Sequence, residues 1–143
     1  MQVVHILRDK GRDVVTIAPE ATMAEAARLL AGKRIGAVIV CDRSGMLAGI
    51  LSERDIVRAL SLANAEALAH EVSEYMTRGV ATCCEADSVD DLMEQMTRGR
   101  FRHVPVVENG QLAGIISIGD VVKTRIAETV REAQSLREYI ATG

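Results

Sequence analysis

Hydrophobic and polar positions along the chain follow one pattern that is written twice. A short β-prone segment, Val14 to Ile17, precedes apolar residues at helical spacing, Ala26, Leu29 and Leu30. Two apolar runs follow, "GAVIVC" and "MLAGILS", on either side of the turn Asp42-Arg43-Ser44-Gly45. Glycine there supplies the positive φ that hairpin turns need. The second copy runs from Val80 to Cys83, through Leu92, Met93 and Met96, to "HVPVV" and "QLAGIIS" around Glu108-Asn109-Gly110. Thr22 and Ser88 stand where helix N-caps belong. A second helix starts in each copy at a Ser-x-x-Asp, "SERD" and then "SIGD". The predicted order is β-α-β-β-α, twice.

With one residue dropped opposite Ser44, Asp13 onward superposes on Gly79 onward, so that Thr16 meets Thr82, Arg34 meets Arg100 and Val38 meets Val104. The eight-letter stretches "AGILSERD" and "AGIISIGD" then coincide. A unit of fewer than about 50 residues buries too little apolar surface to stand alone. The two copies are therefore expected to pack face to face around a pseudo-twofold axis, with a shared core and two related clefts, in an α/β (α+β) fold. Interfaces of this kind are where ligand sites commonly form. The pattern divides the chain into a lead-in helix (1–12), a first repeat (13–61), a linker with a second lead-in helix (62–78), a second repeat (79–128) and a helical extension (129–143). In the C-terminal helix Val122, Ile126, Val130, Ala133, Leu136 and Ile140 lie on or near one face, suited to packing on its own body or across a dimer.

Composition narrows the partners. The chain is 48% hydrophobic with a net charge of −3 and only three aromatic residues, Tyr75, Phe101 and Tyr139. Both the general electrostatic pull toward phosphate backbones and the stacking platforms of RNA-binding proteins are lacking, so nucleic acid is not an expected partner. The longest apolar stretch, near Ala37 to Cys41, is too short to span a bilayer, and the N-terminus has no signal-peptide pattern. A cytoplasmic protein with no membrane association is expected. Cys41, Cys83 and Cys84 form no C-x-x-C, fit a reducing compartment and read as small core residues. His5, His70 and His103 have no zinc spacing to them, so no metal and no catalytic cofactor is expected. No nucleophile, acid–base or P-loop motif is visible either, which argues against an enzyme.

Ser-x-x-Asp at a helix start is by itself the capping-box signature and needs no ligand. Here it recurs at a strand-to-helix junction, where free backbone N–H groups and the helix dipole favour an anion. A serine hydroxyl there can bond a phosphate oxygen, and a carboxylate one turn on can accept from a ribose diol, as an acidic residue does in dinucleotide folds.

The tandem β-α-β-β-α units, the "T-x-x-P-x-x-T" at Thr16 to Thr22, and the repeated "G-I-[IL]-S-x-x-D" resemble a CBS-domain pair, the Bateman module, from about Val3 to about Glu128. The resemblance implies a regulatory sensor that binds adenosine-containing ligands, such as AMP, ADP, ATP, NAD(H) or S-adenosylmethionine, between the repeats. It also implies a homodimer and a regulated protein supplied in trans. In that family a site combines the Ser-x-x-Asp of one repeat with the strand entrances of the other. Carried over, an adenosine site is expected from Ser117, Ile118 and Asp120 with Thr16, Ile17, Ala18, Gly36, Ala37 and Val38. A second site is expected from Ser52, Arg54 and Asp55 with Thr82, Cys83, Arg102, His103 and Val104. Its basic "RGRFRH" segment suits a phosphate or a ligand's second half, or the site stays empty. Carboxylates at both ribose positions predict weaker binding of NADP than of NAD. The alternative is a ligand-free dimerisation scaffold.

Overall fold

The computed structural model describes residues 1–142. In chain order it forms α1 (Val3–Lys10), β1 (Thr16–Ile17), α2 (Met23–Lys33), β2 (Ala37–Cys41), β3 (Leu47–Ser52) and α3 (Glu53–Ala63), then α4 (Val89–Gly99), β4 (His103–Glu108), β5 (Gln111–Ser117) and α5 (Ile118–Thr142). Between α3 and α4 the linker forms two 3-10 turns, Asn64–Ala69 and Val72–Glu74, in place of the expected short α-helix.

The two halves share their irregularities as well as their order. β2 and β3 pair antiparallel, with Ala37 opposite Ser52 and a bulge between Val40 and Cys41. β4 and β5 pair likewise, with His103 opposite Ser117 and a bulge between Val106 and Val107. Arg34 and Arg100 end α2 and α4 in the same left-handed conformation, φ 55° and 57°. β1 pairs parallel with β2, whereas its expected counterpart from Val80 shrinks to a single bridge from Cys83 to Val106.

The expected single core is in fact two. Leu30, Val38, Val40 and Leu51 of the first repeat pack with Ala67, Val72 and Met76 of the linker. Leu92, Met96, Val104, Val106 and Ile116 of the second repeat pack with Val3, Ile6 and Leu7 of α1. Each lead-in thus completes the core of the repeat that it does not introduce. The physical need is the one read from the sequence: a repeat this small lacks apolar cover of its own.

Glycines mark where the lead-ins cross. A Cβ on Gly49 would lie 2.6 Å from the Thr77 carbonyl oxygen and 2.9 Å from Met76 Sδ, and one on Gly114 would lie 2.6 Å from Leu7 Cδ2. The shared "AGI" is therefore a close-approach signature.

Of the two uses expected for the apolar stripe of α5, packing on its own body is not the one seen. Only Val121 is buried, while Val122, Ile126, Val130, Leu136 and Ile140 are each about half exposed or more. No helix among the described residues is long and apolar enough to cross a membrane.

Candidate ligand-binding site

Both Ser-x-x-Asp motifs fold as helix starts. Ser52 caps α3, its backbone N–H donating to Asp55 Oδ2 at 2.9 Å and its hydroxyl donating to the same oxygen at 3.2 Å. Ser117 precedes α5 with the full reciprocal pair: its N–H donates to Asp120 Oδ2 at 2.9 Å, and the Asp120 N–H donates to Ser117 Oγ at 3.1 Å. Capping is satisfied in both copies. Asp55 is the one buried charged residue among the described residues, with 7% of its surface exposed.

A cavity of about 410 Å³ opens above Ser52, within the size range of small-molecule pockets. One wall is the motif itself, Ser52, Glu53, Arg54 and Asp55, together with Gly36 and Ala37. The facing wall is the basic segment Arg100, Phe101, Arg102 and His103 of the second repeat. The linker exit, Thr77 and Gly79 to Ala81, closes one side. Both repeats therefore contribute.

Of the residues expected at the second site, Ser52, Arg54, Asp55, Arg102 and His103 meet in this cavity. Thr82, Cys83 and Val104 do not line it. Thr82 is exposed on the outside. Cys83 and Val104 are core residues, 3% and 0% exposed, and burial, with Asp87, Cys84 and Glu108 nearby, pushes the Cys83 thiol up to about 12. Val80 and Ala81 take the places expected of Thr82 and Cys83, because the first strand of the second repeat is reduced to the Cys83 bridge.

Gly36 and Ala37, expected beside Ser117, line the Ser52 cavity instead. The hairpin register dictates this: Ala37 lies opposite Ser52, and the Glu53 N–H donates to the Gly36 carbonyl at 3.0 Å. The matching bond in the second repeat runs from Ile118 N–H to the Arg102 carbonyl at 2.8 Å. Val38 is buried in the first core, Ile17 and Ile118 are half-buried against the cores, and Thr16 and Ala18 are exposed. The polar partners that the structure gives Ser117 and Asp120 are each other and Lys10, not the Thr16–Ala18 segment.

Sequence reasoning left out Thr77, Gly79, Val80, Ala81 and Phe101. Nothing in the linker's composition marks it as a wall. Its approach to β3 is visible only in the Gly49 crossing and in the bridge between Ile50 and Thr77.

The charges around the two motifs differ. Asp55 receives Arg58 from one turn along its own helix at 3.2 Å, and the same guanidinium donates to the Tyr75 carbonyl at 2.9 Å. Asp120 receives Lys10, which arrives from α1 at 2.6 Å. Burial opposes ionisation of Asp120, but the Lys10 and Ser117 hydrogen bonds outweigh it and hold the carboxyl below its ordinary value. His103 lies where both motifs are felt. Its imidazole is pushed below the usual histidine range by burial first, then by the positive charge of Lys10, against the opposing pull of Asp120.

The family model for the CBS domain matches the chain twice, at residues 6–62 and 72–127. The chain belongs to the CBS-domain family. Its two CBS domains resemble the crystal structure of the CBS-domain containing protein ATU1752 from Agrobacterium tumefaciens, with 53% identity and a TM-score of 0.84 over 87% of this chain and 92% of that one. The CBS domain protein PAE2072 from Pyrobaculum aerophilum, solved in complex with AMP, is 31% identical with a TM-score of 0.75, over 84% and 89% of the two chains. The CBS domain pair of protein MJ0100, solved with 5-methylthioadenosine and S-adenosyl-L-methionine, is 27% identical with a TM-score of 0.80, over 90% and 98%. Some relatives are much longer, and the chain spans 22% of the length of an Arabidopsis thaliana CBS domain-containing protein, CBSCBSPB5, to which it is 29% identical.

Proposed function

We propose that this CBS pair is a regulatory sensor that binds an adenosine-containing ligand in the cavity between Ser52–Asp55 and Arg100–His103. The observation that carries the reading is that one cavity unites a Ser-x-x-Asp helix start with a basic segment of the other repeat. Asp55 offers carboxylate oxygens to a ribose diol, and the α3 N-terminus with Arg54, Arg100 and Arg102 offers positive charge to a phosphate. Gly36 and Ala37 leave room for a flat purine. The arginines favour a phosphate-bearing ligand, AMP, ADP, ATP or NAD(H), over S-adenosylmethionine. Adenosine ligands bound to two CBS-pair neighbours support the same class.

The one hydroxyl–carboxylate pair of the motif, Ser52 with Asp55, is engaged in starting α3, which supports sensing over catalysis. Ligand closure between the repeats would be read by a homodimer partner and by a regulated protein in trans, and the exposed apolar stripe of α5 supports the first of these.

A thermal-shift panel of AMP, ATP, NAD, NADP and S-adenosylmethionine tests the reading. A ligand that binds only the folded state raises stability by about 2.7 kcal/mol at a hundredfold excess over Kd. AMP, ATP or NAD is expected to give that shift, with NADP weaker than NAD. A panel without any shift would leave the ligand-free scaffold as the reading.

A further inference from the structure

The two motifs are alike in sequence, but only one has a free approach. Lys10 ends α1, and its Nζ donates to Asp120 Oδ2 at 2.6 Å and to the Ile115 carbonyl at 2.9 Å. The carboxylate that a ribose would need in the second cleft is therefore already engaged by a cation of the chain itself. The first motif has no such visitor from outside its repeat. Arg58 meets Asp55 through Oδ1 from the next turn of α3, and Asp55 still faces the open cavity.

The difference follows from the exchanged lead-ins. α1 is anchored on the second repeat by Val3, Ile6 and Leu7, which brings its last residue beside the start of α5. The corresponding part of the linker, Met76 and Thr77, meets the first repeat through a thioether and a backbone bridge to Ile50. It carries no side-chain cation to Asp55, and supplies only the Tyr75 carbonyl that receives Arg58. The Lys10 side chain is 32% exposed, and its ammonium is held by two acceptors of the second repeat, while the buried residues of α1 fix the helix end that carries it.

We propose that Lys10 is a built-in occupant of the ribose position of the second cleft, so that the chain takes one adenosine ligand at Ser52 and Asp55 and excludes a second at Ser117 and Asp120. This rests on the reading of the Ser52 cavity given above. It makes Lys10 the residue that sets stoichiometry. It also gives a rationale for two near-identical motifs serving one ligand: the second holds α1, and with it the N-terminal end of the core, to α5.

The test is isothermal titration calorimetry with AMP on the full chain, its Lys10→Met and Lys10→Arg variants, and each combined with Asp55→Ala or Asp120→Ala. Methionine keeps most of the apolar stem, and a cooperative melt checks that each variant is folded. The expected result is one AMP per wild-type chain, weakened roughly ten- to hundredfold in Asp55→Ala and unchanged in Asp120→Ala. Lys10→Met is expected to bind two, the second lost on adding Asp120→Ala, while Lys10→Arg stays at one. Two AMP per wild-type chain, or one in Lys10→Met that depends on Asp55 alone, overturns the proposal. No AMP bound by wild type but one by Lys10→Met, dependent on Asp120, overturns the cavity reading and upholds the occupant. No binding by any variant overturns both.

Discussion

At the residue scale, His103 connects the cavity to proton concentration. Its folded-state pKa lies below its ordinary value, so between the two the unfolded chain binds more protons. Its contribution to stability is therefore present above the unfolded value of 6.5 and is lost as pH falls through the folded one. A phosphate brought against the imidazole reverses that balance by favouring the charged form. AMP binding is accordingly expected to take up protons at pH values above the lowered folded-state pKa of His103. Calorimetry in buffers of different ionisation enthalpy should detect this uptake, and His103→Gln should abolish it. Asp55→Ala is expected to weaken AMP by roughly ten- to hundredfold, the worth of about 1.5–3 kcal/mol in charged hydrogen bonds, as read by titration. The motif residues were legible because their types carry the chemistry at a recognisable spacing. Gly36 and Ala37 were drawn to the wrong cleft because their neighbours depend on hairpin register. Lys10 gave no signal at all, since a lysine at a helix end more than 100 residues from Asp120 looks like any solvated cation.

At the element scale, the repeat of strands and helices could be read from periodicity, and its bulges and left-handed caps fall at matching positions in both copies. The linker was harder. Its Ala-rich composition suggests an α-helix, but residues that must lay Val72 and Met76 into the core beside Gly49 settle into 3-10 turns. The two crossing glycines are expected to respond unequally to a methyl group. At Gly49 the obstacle is a backbone carbonyl at 2.6 Å, whereas at Gly114 it is the end of the Leu7 side chain, which can rotate. Gly49→Ala should therefore cost about 1–3 kcal/mol by denaturant unfolding, and Gly114→Ala distinctly less.

At the scale of the whole molecule, the surface left by folding is lopsided. Val57 and Leu62 on α3 are exposed, and on α5 Val122, Ile126, Val130, Leu136 and Ile140 form an exposed apolar stripe, more than a solitary helix face needs. A homodimer that covers this face is the expected state. Ile126→Glu with Val130→Glu should convert it to a monomer by light scattering and leave a cooperative melt. The pseudo-twofold architecture was foreseeable from duplication, but the division into two cores was not. Nothing in hydropathy says which apolar helix covers which sheet.

That exchange makes the chain a closed loop in folding terms. The first repeat and its linker have every residue of their core once the ribosome has passed Met76. α1 emerges earliest, yet it must wait for the last strand and helix before Val3, Ile6 and Leu7 are covered. Each of these is worth about 1.5–3 kcal/mol of burial, against a total stability of about 5–15 kcal/mol for an ordinary domain. Damage to the first ten residues is thus expected to register at the opposite end of the sequence. Hydrogen exchange should show residues 83–121 losing protection on removal of α1, with the first repeat largely unaffected.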